Sequence, residues 1–154
     1  MSHYLDFKTV MTDSEALRRA LLHMETPAHC NGLPASTIEV HKTAQHLYGY
    51  ENDQRDQTAE VIIRKANVQQ SANDIGFAKQ PDGTYKAIIS EYDRRQYFRD
   101  DWLTRLSTYY NYEKSKIELE NRKVQYQEMK DSKGRLQLKV VFKTKAVSAQ
   151  RITL

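Results

Sequence analysis

The sequence of 154 residues has one cysteine, five glycines and three prolines, and it contains no long apolar run. A lone Cys30 cannot form an internal disulfide, so nothing points to an oxidising compartment. No stretch approaches the ~20 apolar residues of a membrane-spanning helix, and the first residues lack the basic and apolar segments of a signal peptide. We therefore expect a protein of a cytoplasm-like compartment, without membrane contact.

The charge is distributed unevenly along the chain. Residues 1–113 carry 13 basic and 16 acidic side chains, a net charge of −3, whereas residues 114–154 carry 11 basic and 4 acidic ones, a net charge of +7. Such a basic segment can form a surface for nucleic acid, an acidic partner or anionic lipid. An ordinary solvated face explains the same surplus and is the simpler interpretation.

The first part of the chain predicts a strand followed by a helix. Residues 3–11 favour a strand, and apolar residues then recur at helical spacing over 13–25. Thr12 and Glu15 have the spacing of a capping box, and Asp13 is a competing N-cap. Proline and glycine then define a loop that extends to about residue 36.

The middle of the chain predicts several short strands. Pro81, Asp82 and Gly83 favour a turn that joins the last two of them into a hairpin. The sequence leaves open which of the earlier strands are neighbours. The predicted strands cover 37–41, 45–50, 58–65, 74–79 and 84–91.

The last third predicts a long helix and a second hairpin. The helix begins after Asp100 or Asp101, and a kink near Asn111 is possible. Apolar residues alternate with polar ones over 136–143, which is the clearest strand pattern in the chain and pairs with 124–129. Together the elements predict an α+β fold, a two-layer sandwich with a mostly antiparallel sheet and two or three helices on one face. We expect a single domain over 1–145 and a flexible C-terminal tail over 146–154.

Several segments resemble a known family. They are Met1-Ser2-His3-Tyr4, Asp74-Ile75-Gly76-Phe77, Asp82-Gly83-Thr84-Tyr85 and the run Leu106-Ser107-Thr108-Tyr109-Tyr110-Asn111-Tyr112-Glu113-Lys114-Ser115-Lys116. In this order they resemble the chloroplast hypothetical reading frame 35 proteins, which belong to domain-of-unknown-function family 1257. The resemblance covers about residues 1–143, and the loops at 26–36 and 50–57 are longer than in the plastid proteins.

The resemblance implies no established activity. Family members occur in bacteria, plastids and phages, and some are encoded near an ATPase of the AAA type. The resemblance therefore implies a protein partner rather than a reaction.

Residue types that could support catalysis or metal binding are present without a suitable arrangement. His29, Cys30, His41 and His46 form the only local group of soft ligands, but an adjacent His-Cys pair is a poor half of a zinc site. The chain contains no nucleophile elbow and no phosphate-binding glycine loop. We expect no metal and no cofactor, and binding rather than catalysis, although a role as an enzyme is left open.

Two alternative binding sites follow from the distribution of arginine, tyrosine and lysine. The first is a loop over 91–99, where arginine and tyrosine side chains suit a small anionic ligand or a protein partner. Its residues are Arg64, Tyr92, Arg94, Arg95, Tyr97 and Arg99. The alternative is nucleic acid on the basic C-terminal hairpin and the helix before it, with Lys114, Lys116, Arg122, Lys123, Lys139 and Lys143. A homo-oligomer is compatible with either site.

Overall fold

The structure is a computed structural model that describes residues 3–99 and 101–141 and the backbone of 150–153. Two antiparallel sheets are present within these residues, one of five strands in the order β1-β5-β4-β3-β2 and one of three in the order β6-β7-β8. The predicted α+β fold is confirmed. The elements are β1 (Tyr4–Lys8), α1 (Ser14–Leu21), β2 (Ile38–Tyr48), β3 (Gln54–Ile63), β4 (Ile75–Lys79), β5 (Tyr85–Ser90), α2 (Glu91–Gln96), α3 (Trp102–Asn121), β6 (Gln125–Lys130), β7 (Leu136–Val141) and β8 (Gln150–Thr153).

The main hydrophobic core lies between the five-stranded sheet and the helices α1 and α3. Alternate strand residues such as Phe77 and Ile89 point into it, as the period of two in a strand requires. Leu17 and Leu21 of α1 and Leu106 of α3 cover them and are fully buried. Burial of this one sheet face is what fixes the strand register, because a slip of one residue would expose the apolar side chains.

The helix α1 is shorter than the sequence predicts. Asp13 is its N-cap, and its Oδ1 accepts hydrogen bonds from the backbone N–H groups of Glu15 and Ala16. The helix ends at Leu21 rather than at residue 25, because a tighter turn follows in which Met24 N–H bonds to Leu21 O. That turn directs Met24 into the core.

Strand β2 joins two segments that the sequence predicts as separate strands. Val40 pairs with Val61, and the next paired residue, Gln45, is opposite Ala59, so a bulge interrupts one continuous strand. A bulge bends the strand that carries it and increases its twist. The partner of β2 is β3, so these two strands, whose pairing the sequence left open, are neighbours in the sheet.

The segment after β5 is a helix, whereas the sequence predicts a loop over 91–99. Ser90 is the N-cap of α2, and its Oγ accepts a hydrogen bond from the backbone N–H of Asp93 at 3.0 Å. Helix α3 follows without a break at Asn111. Asp101 is its N-cap residue but its side chain makes no capping hydrogen bond, and Asp100 lies outside the described residues.

The backbone of Gln150–Thr153, within the segment expected to be a flexible tail, is paired, and residues 146–149 of that segment lie outside the described residues. Gln150–Thr153 forms β8 and pairs with β7 through four residues, among them Ile152 opposite Leu138. The hairpin of β6 and β7 is confirmed, with its register running from Gln125 opposite Val141 to Lys130 opposite Leu136. Phe142, Lys143 and the rest of 142–149 lie outside the described residues.

A second apolar cluster lies on the sheet face opposite the helices. It consists of Leu47, Ala59, Ile62, Ala78 and Ile88, with Tyr4 packed against it. The curved hairpin of β2 and β3 brings Leu47 over β4 at Gly76. A Cβ atom on Gly76 would lie 2.7 Å from the Ala59 Cβ and 3.0 Å from the Leu47 Cδ atoms, so only glycine permits this approach.

We expect Gly76→Ala to lower the free energy of unfolding by roughly 1–3 kcal/mol, the usual cost of overpacking. Urea denaturation followed by circular dichroism measures the change. Ala59→Gly removes the nearest obstacle, so its cost should be smaller in the Gly76→Ala background than alone. An unchanged midpoint for Gly76→Ala would contradict the close approach of the hairpin.

Candidate functional site

The candidate site lies at one end of the five-stranded sheet, around Asn73 and Asp74. Both residues are only 1% exposed, and they precede β4. The tip of the β2–β3 hairpin folds back onto them, since Asp74 N–H bonds to Tyr48 O at 2.9 Å and Tyr50 N–H bonds to Asn73 Oδ1 at 3.1 Å. We call Asn73 and Asp74 the hub, because four separate segments are attached to this pair.

The carboxylate of Asp74 is fully hydrogen-bonded. Its Oδ1 accepts from Lys65 N–H at 2.8 Å, and its Oδ2 accepts from Tyr48 N–H and from Arg64 Nη1, both at 2.8 Å. Its backbone carbonyl accepts from the hydroxyl of Tyr4 at 2.7 Å. A buried charge is stable only when it is paired and hydrogen-bonded, and both conditions hold here.

The guanidinium group of Arg64 is engaged in hydrogen bonds and ion pairs within the chain. Besides Asp74, its guanidinium donates from Nε to Glu39 Oε2 at 3.0 Å and from Nη1 to His46 O at 2.9 Å. Burial alone would raise the pKa of Glu39, but its hydrogen bonds from Arg64 and His41 outweigh burial and lower that pKa. Arg64 therefore joins β2, β3 and the hub, and only part of its side chain is accessible to a ligand.

The hub also holds α2. The backbone N–H of Asn73 donates to Asp93 Oδ2 at 2.9 Å, and its side-chain amide donates to Ser90 Oγ at 3.0 Å. These bonds connect Arg64 to α2 through Asp74 and Asn73. The structure thus brings Arg64 and the 91–99 segment to the same end of the sheet, as the predicted site requires, although Arg64 acts there as a cross-link.

The predicted residues of the 91–99 segment divide into two groups. Arg94 is a structural residue, since its Nη1 donates to Phe98 O at 2.6 Å and its guanidinium lies over the ring of Phe7. Tyr92 is 38% exposed and meets Tyr97 edge to face, with ring centroids 6.1 Å apart. Arg95 and Arg99 are exposed, and no hydrogen bond or ion pair joins either side chain to another described residue.

An open groove of about 520 Å³ runs beside Arg99, between the segment that joins α2 to α3 and the turn at 25–30. Tyr97 and Trp102 form part of its wall, and the indole N–H of Trp102 donates to Glu25 O at 3.2 Å. Arg105 also lines the groove, but both of its Nη atoms bond to the carboxylate of Glu25.

Sequence reasoning missed the hub and the groove. The residues of the hub, its contact with α2 and the groove that the sequence did not indicate are Asn73, Asp74, Asp93, Trp102 and Arg105. The one local signal was the pair Asn73-Asp74 directly before a strand, since these side chains readily bond to nearby backbone groups. The groove is formed by residues far apart in sequence and has no local signal.

Two residues of the nucleic-acid alternative are paired with acidic side chains in the described part of the chain. Lys114 pairs with Asp13 at 3.1 Å, and Lys116 pairs with Glu113 at 3.2 Å and Glu128 at 2.9 Å. The remaining members are further along the chain. Arg122 and Lys123 are exposed after α3, Lys139 is partly exposed on β7, and Lys143 lies outside the described residues.

Lys116 belongs to a buried polar network between α1, α3 and β6. Glu113 is 3% exposed and contacts both Lys116 and His23, whose Nε2 lies 3.1 Å from Glu113 Oε2. Burial favours the neutral form of Glu113, but these partners outweigh it and lower the pKa of that carboxyl. The network attaches the small sheet to α3, because Glu128 also accepts from the hydroxyl of Tyr112 at 2.7 Å.

The histidines are separated by their individual contacts. His29 lies 3.0 Å from Asn67 Oδ1, His41 lies 2.7 Å from Glu39 Oε1, and His46 Nδ1 lies 2.8 Å from Arg55 O. Among the described residues, no three histidine, cysteine or acidic side chains are grouped so that they could hold a metal ion. No helix in the same part of the chain is both long and apolar enough to cross a membrane.

A family model described as "Protein of unknown function (DUF1257)" matches residues 35–138. The chain belongs to this family. The DUF1257 match runs from the turn before β2 into β7 and includes the hub and α2, but it is shorter than the resemblance noted from the sequence. No curated protein and no solved structure matches the chain.

We expect Arg64→Ala to lower the free energy of unfolding by roughly 1–3 kcal/mol, because it leaves the buried Asp74 without its cation. Arg95→Ala is the matched control and should change stability by less than about 0.5 kcal/mol, as surface substitutions usually do. Chemical denaturation of both variants measures the difference. Equal stability of the two variants would show that Arg64 does not support the hub.

We expect the stability difference between the wild type and Glu113→Gln to shrink in acid. The lowered pKa of Glu113 means that its contribution is present above the ordinary glutamate range and is lost as the pH falls through the folded-state pKa. Urea midpoints measured from pH 7 to pH 3 test this, with the exposed Glu118→Gln as control. A difference that is constant with pH would contradict an ionised Glu113.

Proposed function

We propose that this DUF1257 chain is a non-enzymatic binding protein that docks an acidic segment of a protein partner on α2 and the adjoining groove. The observation that carries the proposal is a pair of exposed arginines whose side chains have no partner among the described residues. Among arginines with described side chains, only Arg95, Arg99 and Arg122 lack a hydrogen bond or ion pair to another described residue, and Arg95 lies in α2 while Arg99 follows shortly after it. Unpaired arginines suit carboxylate groups, which their planar fork can bind in a bidentate manner.

The surroundings of the two arginines support a docking role. Helix α2 is capped by Ser90 and attached to the hub, so its outer residues are held on a rigid base. A preorganised surface loses less entropy on binding than a loop does. Tyr92 and Tyr97 add aromatic area beside the charges, and such residues contribute much of the energy of protein interfaces.

The open shape of the groove favours a polypeptide over an enclosed small molecule. The proposal includes two expectations from the sequence, namely that the chain resembles the chloroplast hypothetical reading frame 35 proteins and that its partner is a protein such as an AAA-type ATPase. Because a separate copy of the chain also carries acidic residues, self-association through this surface is one outcome that the test includes.

The test measures binding of a fluorescein-labelled peptide of alternating glutamate and leucine by fluorescence anisotropy. We expect Arg95→Glu with Arg99→Glu to weaken binding at least about tenfold, since each lost charge pair contributes on the order of 1 kcal/mol. Arg122→Glu is the matched control, because Arg122 is the other exposed arginine without a partner among the described side chains, and it should leave the affinity unchanged.

The contradicting outcomes are distinct. An equal loss of peptide affinity in Arg122→Glu would show that the peptide binds by unspecific charge attraction. Tighter binding of single-stranded DNA of equal charge, abolished by Arg122→Glu with Lys123→Glu, would support the nucleic-acid alternative instead. Sedimentation of the protein alone reports whether a second copy occupies the surface.

A further inference from the structure

The side chain of Asp93 is completely buried and only half satisfied. It has no exposed surface, and its Oδ2 accepts from Asn73 N–H at 2.9 Å and from Asn73 Nδ2 at 3.4 Å. Its Oδ1 has no hydrogen-bond partner in the described part of the chain. Nearly all buried polar atoms in proteins have a partner, so this atom requires an explanation.

Asp93 occupies a position where an acidic side chain usually closes a capping box. Ser90 is the N-cap and Asp93 is the third helical residue, and Ser90 Oγ already accepts from Asp93 N–H. In a capping box the acidic side chain turns back to the N-cap N–H. Here it bonds to Asn73 instead, so the same carboxyl group connects α2 to the hub.

Among the residues that the structure describes, no positive charge contributes to stabilising an ionised Asp93. The groups that face it are Asn73 on the hub, Ser90 at the end of β5, and the phenols of Tyr4 on β1 and Tyr97 after α2. Asp74, the nearest other carboxylate on the hub, is itself negative and paired with Arg64. Burial raises the pKa of Asp93, although the hydrogen bonds from Asn73 and Ser90 oppose this effect.

Protonation of Oδ1 is the state of this buried carboxyl group that costs the least free energy. The two donors of Asn73 occupy Oδ2, which leaves Oδ1 to carry the proton. A neutral hydroxyl without a partner costs far less free energy than a buried charge without one. When the proton leaves to solvent, the carboxylate can be hydrated only if α2 moves away from Asn73.

We propose that Asp93 is a protonation-controlled latch, which as the neutral acid holds α2 on the hub and as the carboxylate releases it. The latch rests on the proposed function in one respect, because release would displace Tyr92 and Arg95 and weaken docking of the acidic partner. For an acid that favours its protonated form in the folded state, stability is highest at low pH and falls as the pH rises through the folded-state titration.

The direct test follows the Asp93 carboxyl carbon by NMR on wild-type protein labelled with ¹³C-aspartate, between pH 3 and pH 9. We expect its midpoint to lie above that of the exposed Asp6. A midpoint that coincides with that of Asp6 overturns the latch. This measurement needs no partner and no variant, so it is independent of the docking proposal.

The consequence for α2 is tested by hydrogen exchange of the Tyr97 and Phe98 amides, which bond to Asp93 O. After correction for intrinsic rates, exchange of these two amides should become faster as the pH rises. The total increase should be up to about tenfold for each pH unit by which the Asp93 midpoint lies above that of Asp6. Asp93→Asn is neutral at every pH and should abolish this acceleration, whereas Asp6→Asn should retain it. The same pH dependence in Asp93→Asn would overturn the latch.

The coupling to docking is read from the affinity of the glutamate–leucine peptide across the same titration. Because the glutamates of the peptide also titrate in this range, the affinity of the wild type is compared with that of Asp93→Asn at each pH, and the ratio should fall as Asp93 ionises. If no peptide binds at any pH while Asp93 titrates as expected, the docking proposal fails and the latch stands. If the ratio is the same at every pH, the coupling between the latch and docking is wrong.

Discussion

The carboxylate of Asp74 is the constraint on which the candidate site depends. It binds the hairpin tip through Tyr48, the end of β3 through Arg64 and the following turn through Lys65. Further bonds join the same segments, among them Tyr50 N–H to Asn73 Oδ1 and Lys65 Nζ to Tyr50 O, and the β2–β3 hairpin reaches this end of the sheet by bending at a bulge and passing over Gly76. One satisfied buried charge therefore positions the base from which α2 projects.

Asp93 is a second buried carboxyl group, next to the hub, and it differs from Asp74 in its hydrogen-bond donors and in its charged neighbours. Asp74 has a cation and donors to both oxygens, whereas Asp93 has donors to one oxygen and no cation among the described residues. Asp74 forms an ion pair with Arg64, whereas burial and an oxygen without a partner favour the neutral form of Asp93. A cross-linked base and a titratable attachment of α2 thus lie side by side, at Asp74 and at the neighbouring contact between Asn73 and Asp93.

Elements with local signals were predictable from the sequence, and elements that depend on distant contacts were not. The β4–β5 hairpin was predicted because Pro81 and Gly83 mark its turn and the apolar residues alternate on both sides. The strand β8 was missed, since its four residues include a single apolar one, Ile152, and its pairing with β7 has no local signal. The sequence indicated Arg64 as a candidate ligand-binding residue but not its ion pairs with Asp74 and Glu39, which lie far from it in the sequence.

The central claim is that α2 and the adjoining groove, supported by the hub, form the docking surface. Chemical-shift mapping with ¹⁵N-labelled protein and the acidic peptide tests it residue by residue. The account predicts that the largest changes fall on the amides of 91–99 and on the indole N–H of Trp102. Changes concentrated on 122–139 instead, with the 91–99 amides unaffected, would contradict it.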